Sequence, residues 1–259
     1  MNVDTILSRI RYLGSREPTS DTLRSLQHAF LESVPFENLD IHVGQWISLD
    51  PGLIYEKIVG RRRGGFCYEC NGLFAELLAA LGYKVSRVSA RMATDGRIGP
   101  EFDHMVLLVS LDREYLADVG NGRSVRDPLP LEGDETSEAE GIEYRVGAYA
   151  AGYALYYRKA GSDWLPRFLF STIPRVQSEF SEMCEYHQSS PHSTFTQKRL
   201  ATLATPRGRI TLLNSRLIEL SGEEQKEQEL ASEDEVMRCL RSRFGLELRE
   251  RRQPAGGTR

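Results

Sequence analysis

The spacing of apolar residues changes once along this chain, close to residue 83. Before that point apolar residues recur every three or four positions, most clearly over residues 67–81, which is the period of a helix. After it come short runs typical of strands, among them residues 85–92 and 142–149. A helical pattern returns only behind Ser232, which begins a capping box. Such segregated patterns predict an α+β protein rather than a doubly wound sheet.

The composition argues against several classes of function. The 259 residues carry 33 basic and 37 acidic side chains, a net charge of −4, whereas nucleic-acid binders usually carry a basic excess. No apolar run approaches the roughly 18 residues of a membrane span, and the N-terminus lacks the apolar stretch of a signal peptide. Four cysteines are too few for a disulfide scaffold. We expect a cytoplasmic protein with free thiols and without nucleic-acid or membrane partners.

Cys67 is the first candidate for chemistry. It stands at the predicted start of the helix over residues 67–81, directly after Gly64-Gly65 and the three arginines of residues 61–63. A helix N-terminus and nearby guanidinium groups both favour a thiolate over a thiol. The alternative is a buried core cysteine, which is the commonest fate of a free thiol.

Cys67 and Cys70 together match the pattern C-x-x-C. A redox motif of this kind needs a preceding βαβ pattern, and here helices precede it. A zinc site needs a second pair of ligands at suitable spacing, and none lies nearby. We therefore expect no metal site, and Cys70 belongs to the apolar face of its helix.

His104 and Asp118 are the second candidates. His104 begins an apolar strand, and Asp118 ends the next one, although aspartate is disfavoured in strands. A hairpin turning near residue 111 would place the two side chains roughly opposite each other. A thiolate nucleophile needs a base, and an imidazole base needs an acidic partner. The three residues predict a papain-like Cys-His-Asp arrangement; the alternative for Asp118 alone is a turn former.

Several segments resemble signatures of the arylamine N-acetyltransferase family, and they occur in the family's order along most of the chain. They are Val34-Pro35-Phe36-Glu37-Asn38-Leu39, Arg63-Gly64-Gly65-Phe66-Cys67-Tyr68-Glu69, Ala90-Arg91, His104-Met105, Asp118-Val119-Gly120, Ser190-Pro191-His192-Ser193-Thr194-Phe195 and Gly208-Arg209. The resemblance implies an enzyme of xenobiotic metabolism that transfers acetyl from acetyl-CoA to a primary arylamine or arylhydrazine. It implies a ping-pong reaction through an acetyl-cysteine, without metal or prosthetic group.

The resemblance also assigns roles to residues. It implies that Cys67 is the nucleophile, His104 the base and acid, and Asp118 the residue that orients His104. Glu37 and Arg63 match a pair that braces these three; a purely structural ion pair is compatible with that role. The implied fold has a helical bundle over residues 1–83, a β-barrel over 84–190 and an α/β lid over 191–259.

The substrate pocket is less determined. Phe36, Phe66 and Phe195 lie in the matched motifs, so each is a candidate to line an apolar acceptor pocket or to be plain core. Asn121 stands where the family commonly has phenylalanine, and Cys184 where we expect asparagine. No glycine-rich nucleotide motif is present, so no CoA-binding residue is assigned. The oligomeric state stays open.

Three alternatives to the acetyltransferase remain. An amide synthase of the same superfamily would use the same residues to close a macrolactam from a carrier-bound polyketide. A cysteine hydrolase of the transglutaminase or papain type is disfavoured by the Arg-Gly-Gly-Phe-Cys sequence of residues 63–67. A catalytically inactive binding protein is disfavoured because Cys67, His104 and Asp118 are all present.

Overall fold

The computed structural model describes residues 1–248. Within these residues eight α-helices form: α1 (Val3–Arg9), α2 (Ser20–Ser33), α3 (Leu39–His42), α4 (Pro51–Tyr55), α5 (Cys67–Ala80), α6 (Ser181–Ser189), α7 (Thr194–Gln197) and α8 (Glu233–Phe244). A π-helical turn (Glu56–Gly60) continues α4, and a 3-10 turn (Gln177–Phe180) leads into α6.

The strands of the described chain form two antiparallel sheets. They are β1 (Phe36–Glu37), β2 (Lys84–Thr94), β3 (Arg97–Ile98), β4 (His104–Ser110), β5 (Glu114–Ala117), β6 (Leu129–Pro130), β7 (Ser137–Ala139), β8 (Ile142–Tyr149), β9 (Gly152–Lys159), β10 (Leu165–Arg175), β11 (Leu200–Thr205), β12 (Gly208–Leu213), β13 (Arg216–Ser221) and β14 (Glu224–Glu229). The larger sheet runs in the order β6-β5-β4-β2-β10-β9-β8-β7, with β3 paired to β2. Because β6 also contacts β8, this sheet curls into a nearly closed barrel.

Helix α5 is the centre of the N-terminal part. Its apolar residues recur on nearly every side, which is typical of a buried helix. Helices α1, α2 and α4 cover one side and the barrel covers the other, so most of its side chains are buried. Gly82, just behind it, adopts a φ of 90°, as expected for the residue that ends a helix. Helix α1 ends at Arg9, so Leu13, which continues the helical spacing of Ile6 and Ile10 in the sequence, lies beyond the helix and is 98% exposed.

Strand β4 joins two cores. Val106 and Leu108 point into the barrel, whereas Leu107 and Val109 pack against the helices. A strand that is buried on both faces reads as a continuous apolar run, which is why the sequence pattern of residues 104–111 lacks alternation. The helical part and the barrel therefore share one strand, and His104 lies at its first position.

The smaller sheet runs in the order β1-β11-β12-β13-β14, so a strand from the N-terminal part belongs to the C-terminal sheet. Helix α8 packs on this sheet through Val236, Leu240 and Phe244. As predicted, Ser232 caps it, accepting from the Glu235 N–H at 3.3 Å. The predicted α+β class is confirmed.

Two parts of the sequence interpretation need correction or remain open. Residues 120–141 are polar and hold two prolines, which predicts a loop, but they contain the short strands β6 and β7. The division at residues 83 and 190 into three domains stays a prediction. Among residues 1–248, no helix combines the length and apolar character that a membrane crossing needs.

Candidate active site

Cys67 is the first residue of α5 and borders an open cavity. Its side chain is 3% exposed and packs in an apolar cluster with Phe36, Tyr68 and Met105. The cavity has a volume of about 650 Å³, and His104 forms part of the same wall. The candidate nucleophile and the candidate base therefore border the same cavity, although 37 positions separate them in the sequence.

The loop before Cys67 is held against β1. The Glu37 N–H donates to the Gly65 carbonyl at 2.9 Å, and the Gly65 N–H donates to the Pro35 carbonyl at 3.2 Å. A Cβ atom on Gly64 would lie 2.0 Å from the Pro35 carbonyl oxygen, so only glycine permits this approach. These contacts fix the loop and therefore the position of Cys67 at the start of α5.

His104 and Asp118 are hydrogen-bonded, with His104 Nε2 lying 2.9 Å from Asp118 Oδ2. The predicted hairpin exists, but Leu107 pairs with Ala117, so its centre is Asp112, one residue later than expected. His104 and Asp118 are consequently diagonal neighbours rather than directly opposite each other. Diagonal neighbours on one face of a sheet remain within reach of long side chains, and the bond forms.

Asn71, one turn after Cys67 on α5, ties the helix to the hairpin. Its Nδ2 donates to Asp118 Oδ1 at 2.9 Å and to the Met105 carbonyl at 2.7 Å, and its Oδ1 accepts from the Val119 N–H at 2.9 Å. Sequence reasoning did not single out this residue as functional. The available signal was its position four residues after Cys67, on the same helix face.

Gly120 allows Asp118 to come close to the nucleophile. A Cβ atom on Gly120 would lie 2.7 Å from the backbone oxygen of Cys67, so a side chain would push the two segments apart. The Gly120 N–H also donates to Asp118 Oδ1 at 2.8 Å. The segment of residues 118–120 thus packs directly on the first turn of α5.

Burial raises the pKa of the Cys67 thiol well above its ordinary value. The neighbouring groups Cys184, Asp103 and Asp118 act in the same direction, whereas a hydrogen bond from the backbone of Met105 acts against it. A thiolate at this position therefore needs a partner that takes the proton and remains beside the sulfur as a cation.

The three arginines before the site do not supply that positive charge. Arg61 and Arg62 are exposed, and the buried Arg63 lies 2.7 Å from Glu37 and 2.8 Å from Asp40. The expectation that these arginines favour the thiolate is wrong, because their charges face water or carboxylates rather than the sulfur.

The predicted pair of Glu37 and Arg63 forms, within a larger buried cluster. Lys57 Nζ lies 2.8 Å from carboxylate oxygens of both Asp40 and Glu69. Glu69 also accepts a hydrogen bond from the N–H of Phe66, the residue that caps α5, at 3.1 Å. The cluster thereby connects β1, α3 and the loop before α5 to the first turn of α5. Bracing of the catalytic residues by Glu37 and Arg63 stays a prediction.

Asp118 is suited to remain ionised. Burial by itself raises the pKa of this carboxyl, but the charge of His104 and hydrogen bonds from His104, Asn71 and the Gly120 amide outweigh it and lower the pKa. An ionised Asp118 beside His104 stabilises an imidazolium and fixes the orientation of the ring.

The predicted pocket residues separate into two groups. Phe36, Asn121 and Phe195 line the cavity of Cys67. Phe66 is fully buried and does not line it, so the pocket prediction for Phe66 is corrected; it packs edge-on against Phe195 behind the wall. Cys184 is buried in the same apolar cluster as Cys67.

The second half of the C-x-x-C pattern belongs to the core. Cys70 is fully buried, and its thiol donates to the Gly65 carbonyl at 3.2 Å. Within residues 1–248 there is no group of three or more histidine, cysteine or acidic side chains placed to hold a metal ion.

An arginine-lined groove of about 570 Å³ adjoins the cavity. The residues that border both are Phe36, Met92, Asn121 and Phe195. The charged residues of the groove are Arg123, Arg167, Arg209, Arg216, Glu140 and Glu227. With four arginines against two glutamates, the groove carries an excess of positive charge.

Arg167 lies at the junction of groove and cavity, because it contacts Asn121, which borders both. In the described chain its guanidinium donates to neutral oxygens, Asn121 Oδ1 at 3.1 Å and the Arg123 carbonyl at 3.0 Å. Arg123 and Arg209 share one carboxylate, Glu140, at 3.2 and 3.0 Å. The groove is therefore suited to an anionic ligand.

Known proteins resemble this chain over nearly its whole length. Residues 19–253 match a family model described as N-acetyltransferase. An arylamine N-acetyltransferase from Mycolicibacterium smegmatis is 31% identical over 96% of this chain and 93% of its own length. A pineal gland isozyme of arylamine N-acetyltransferase from Gallus gallus is 30% identical over 98% of this chain and 97% of its own length.

Solved structures agree. Arylamine N-acetyltransferase from Mycobacterium marinum superposes with a TM-score of 0.86 at 31% identity, covering 94% of this chain and 92% of its own. The Salmonella typhimurium protein gives a TM-score of 0.88 at 27% identity, covering 94% and 90%. Since the family model spans most of the chain and relatives of 30% identity or more cover nearly all of it, this chain is an acetyltransferase of the arylamine N-acetyltransferase family.

Proposed function

We propose that this enzyme transfers an acetyl group from acetyl-CoA to the nitrogen of a primary arylamine or arylhydrazine, by a ping-pong reaction through an acetylated Cys67. The observation that carries the proposal is the single cavity bordered by Cys67 and His104, with His104 hydrogen-bonded to Asp118 at 2.9 Å. A nucleophile, a base and a group that orients the base are the parts that acyl transfer by covalent catalysis requires.

In the first half-reaction His104 takes the proton of Cys67. Its Nε2 is engaged with Asp118, so Nδ1 is the nitrogen that accepts. Because burial raises the pKa of the thiol, the thiolate forms only as the imidazolium forms, and Asp118 stabilises that cation. The sulfur attacks the thioester carbonyl, and His104 returns the proton to the departing CoA thiol. Exchange of one thioester for another makes this step nearly balanced in free energy.

The oxyanion of this step needs hydrogen-bond donors. The first-turn amides of a helix have no acceptor within the helix, and Cys67 is the first residue of α5. We assign the role to the backbone N–H groups of Cys67 and Tyr68, which the positive end of the helix dipole reinforces.

The arginine-lined groove supports CoA as the donor. CoA carries three phosphate groups, and a groove with excess positive charge leads directly into the cavity of Cys67. The related Mycobacterium marinum enzyme has been solved in complex with CoA. We therefore place the phosphates near Arg123, Arg167 and Arg209, with the thioester reaching past Asn121.

The aromatic wall supports an aromatic acceptor. Phe36 and Phe195 present their rings to the cavity at a centroid distance of 6.2 Å. A planar amine would pack against these rings, while Asn121 makes the pocket more polar than a phenylalanine there would. All four cysteines are free thiols, which fits work in the reducing cytoplasm.

Intact-protein mass spectrometry tests the proposal. After brief incubation with acetyl-CoA and no acceptor, one acetyl group is expected, mapped to Cys67 and lost when an arylamine is added. A short acetyl thioester without the nucleotide should acetylate Cys67 more slowly, because it cannot use the arginines.

Cys67→Ser is the matched variant. It is expected to fold and to form no adduct, since a serine alkoxide is far harder to generate than a thiolate. Absence of an adduct on folded wild-type enzyme would contradict the proposal and favour the amide synthase, whose acyl group comes from a carrier. Turnover by Cys67→Ser would show that the nucleophile is wrongly assigned.

A further inference from the structure

A second histidine–aspartate pair lines the cavity of Cys67. His187 lies on α6, and Asp103 directly precedes β4. His187 Nε2 is 3.4 Å from Asp103 Oδ1 and 3.3 Å from the Asp103 carbonyl oxygen. Both residues border the same cavity as Cys67 and His104. Nothing in the mechanism above uses this pair.

The ring of His187 is held by its neighbours. It packs edge-on against Phe195 at a centroid distance of 5.2 Å and lies 6.1 Å from the ring of Tyr68. Its side chain is 8% exposed and that of Asp103 is 18% exposed. The titratable groups around it are Asp103, Tyr68 on α5, Tyr186 on its own helix, and Cys67, His104 and His192 at the cavity.

Asp103 is also close enough to the reacting sulfur to matter electrostatically. Its carboxylate is one of the charges that raise the pKa of Cys67. The same negative charge would stabilise positive charge on a nitrogen that attacks an acyl group on that sulfur. The pair therefore faces the reacting centre with a charge suited to the second half-reaction rather than to the first.

We propose that His187, oriented by Asp103, accepts the proton of the attacking amine in the second half-reaction. With Nε2–H directed at Asp103, Nδ1 is the nitrogen that accepts. The C–N bond forms and the C–S bond breaks, with its electron pair staying on Cys67 Sγ. The amine proton passes to His187 and then through solvent to His104, whose imidazolium stabilises the thiolate and returns the proton to it, so that the Cys67 thiol is restored. The proposal rests on the proposed function, because it needs an acyl group on Cys67.

This assignment divides the work between two imidazoles. His104 is fixed by Asp118 for exchange of the proton on sulfur, whereas His187 lies on the aromatic side of the cavity, where Phe195 is expected to hold the acceptor. A weakly basic arylamine gains most from a base at its nitrogen. Long hydrogen bonds such as those of His187 are common before substrate is bound.

Separate measurement of the two half-reactions tests the proposal. Enzyme acetylated with acetyl-CoA is mixed with aniline or with hydrazine, and loss of the acetyl group is followed in time. For His187→Gln we expect acetylation at the wild-type rate and discharge to aniline slowed about 100-fold, the usual size of a general-base effect. Discharge to hydrazine, a stronger nucleophile, should slow much less, and the pH profile of discharge to aniline should change.

Two further variants complete the design. Asp103→Asn should also slow discharge to aniline, because His187 loses its carboxylate. It should not slow acetylation, because the substitution removes a charge that raises the pKa of Cys67. His28→Gln removes another histidine–aspartate pair, in which Nε2 lies 2.8 Å from Asp127, and should leave both half-reactions unchanged. Equal slowing of acetylation and discharge in His187→Gln, or no slowing, would overturn the proposal. Failure of the wild-type enzyme to become acetylated would overturn the proposed function as well.

Discussion

At the scale of single residues, a neutral amide connects the parts of the candidate site. Asn71 is fully buried and donates to Asp118 while its other contacts reach Met105 and Val119. Orientation of Asp118 therefore does not depend on His104 alone. A carboxylate held from two sides presents one oxygen to the imidazole with little freedom to rotate.

Asn71→Ala is expected to reduce both stability and activity. Buried groups of Met105 and Val119 lose their partner, at about 1–3 kcal/mol of unfolding free energy for each. The lost hydrogen bond to the Asp118 carboxylate is worth about 1.5–3 kcal/mol. If that is added to the activation free energy, the rate of acetylation of Cys67 should fall about 10- to 100-fold. Denaturant unfolding and acetylation kinetics on folded enzyme measure the two effects.

Gln27→Ala is the matched control. Gln27 is also a buried amide, and it donates to the Arg126 carbonyl at 2.8 Å, away from Asp118 in the hydrogen-bond network. It should lose stability while the rate of acetylation per folded molecule is kept. If Asn71→Ala kept that rate as well, Asn71 would have no part in orienting Asp118.

At the scale of elements, the start of α5 depends on a buried carboxylate. Glu69 accepts from the N–H of Phe66 at 3.1 Å and from Lys57 at 2.8 Å. Burial raises the pKa of Glu69 from 4.5 to about 6, with Lys57 acting against the shift. The folded protein therefore holds this proton to a higher pH than the unfolded chain does.

The sign of the resulting pH dependence follows from linkage. Below pH 4.5 Glu69 is protonated in both states, and its favourable contribution is lost as the pH rises through about 6. Over that window Glu69 should lower the free energy of unfolding by about 2 kcal/mol, at about 1.4 kcal/mol per pKa unit. Carboxyls with lowered pKa, such as Asp118, contribute in the opposite direction.

Glu69→Gln isolates this contribution. Its free energy of unfolding, measured in urea from pH 4.5 to 6.5, should rise more steeply with pH than that of the wild type. The variant also changes the hydrogen bonds that Glu69 makes with Lys57 and with the Phe66 N–H, which shifts its stability at every pH, so the slope is the quantity to compare. Identical slopes would contradict the pKa of Glu69.

At the scale of the whole molecule, Asn38 joins the N-terminal part to the C-terminal sheet. Its Nδ2 donates to the carbonyls of Phe195 and Lys198 at 2.9 and 2.8 Å, and its Oδ1 accepts from the Leu200 N–H at 2.8 Å. The bonds span about 160 positions of sequence and fix the segment that carries Phe195 into the cavity.

Asn38→Ala should destabilise the molecule and loosen its pocket together. Three backbone groups lose a partner, so we expect a loss of at least about 3 kcal/mol of unfolding free energy. Because Phe195 is less well held, KM for the arylamine should rise more than kcat falls. Thermal unfolding and steady-state kinetics measure both.

Gln197→Ala is the control for this variant. The Gln197 amide also donates to a backbone carbonyl, that of Pro191 at 2.7 Å, but at the surface. Its loss should cost less than about 0.5 kcal/mol and leave KM unchanged. An unchanged KM in Asn38→Ala would show that the hydrogen bonds of Asn38 do not affect binding of the arylamine.

Elements with a strong local pattern were predictable from the sequence. Strand β8 occupies the predicted residues 142–149, and α5 begins at Cys67 as its preceding glycines indicated. Strand β14 was not predicted, because all six of its residues are exposed and show no alternation of apolar and polar side chains. Its position comes from pairing with β13, which no local pattern contains.

The sequence by itself determined the α+β class, the family resemblance, and Cys67, His104 and Asp118 as the candidate catalytic residues. These depend on residue type and short spacings, which the chain carries locally. The tertiary structure decided how those residues are held and what surrounds them. Asn71 reaches Asp118 across 47 positions, and His187 reaches Asp103 across 84. Burial raised the pKa of Cys67 where local sequence predicted the opposite, because desolvation depends on the whole packed molecule.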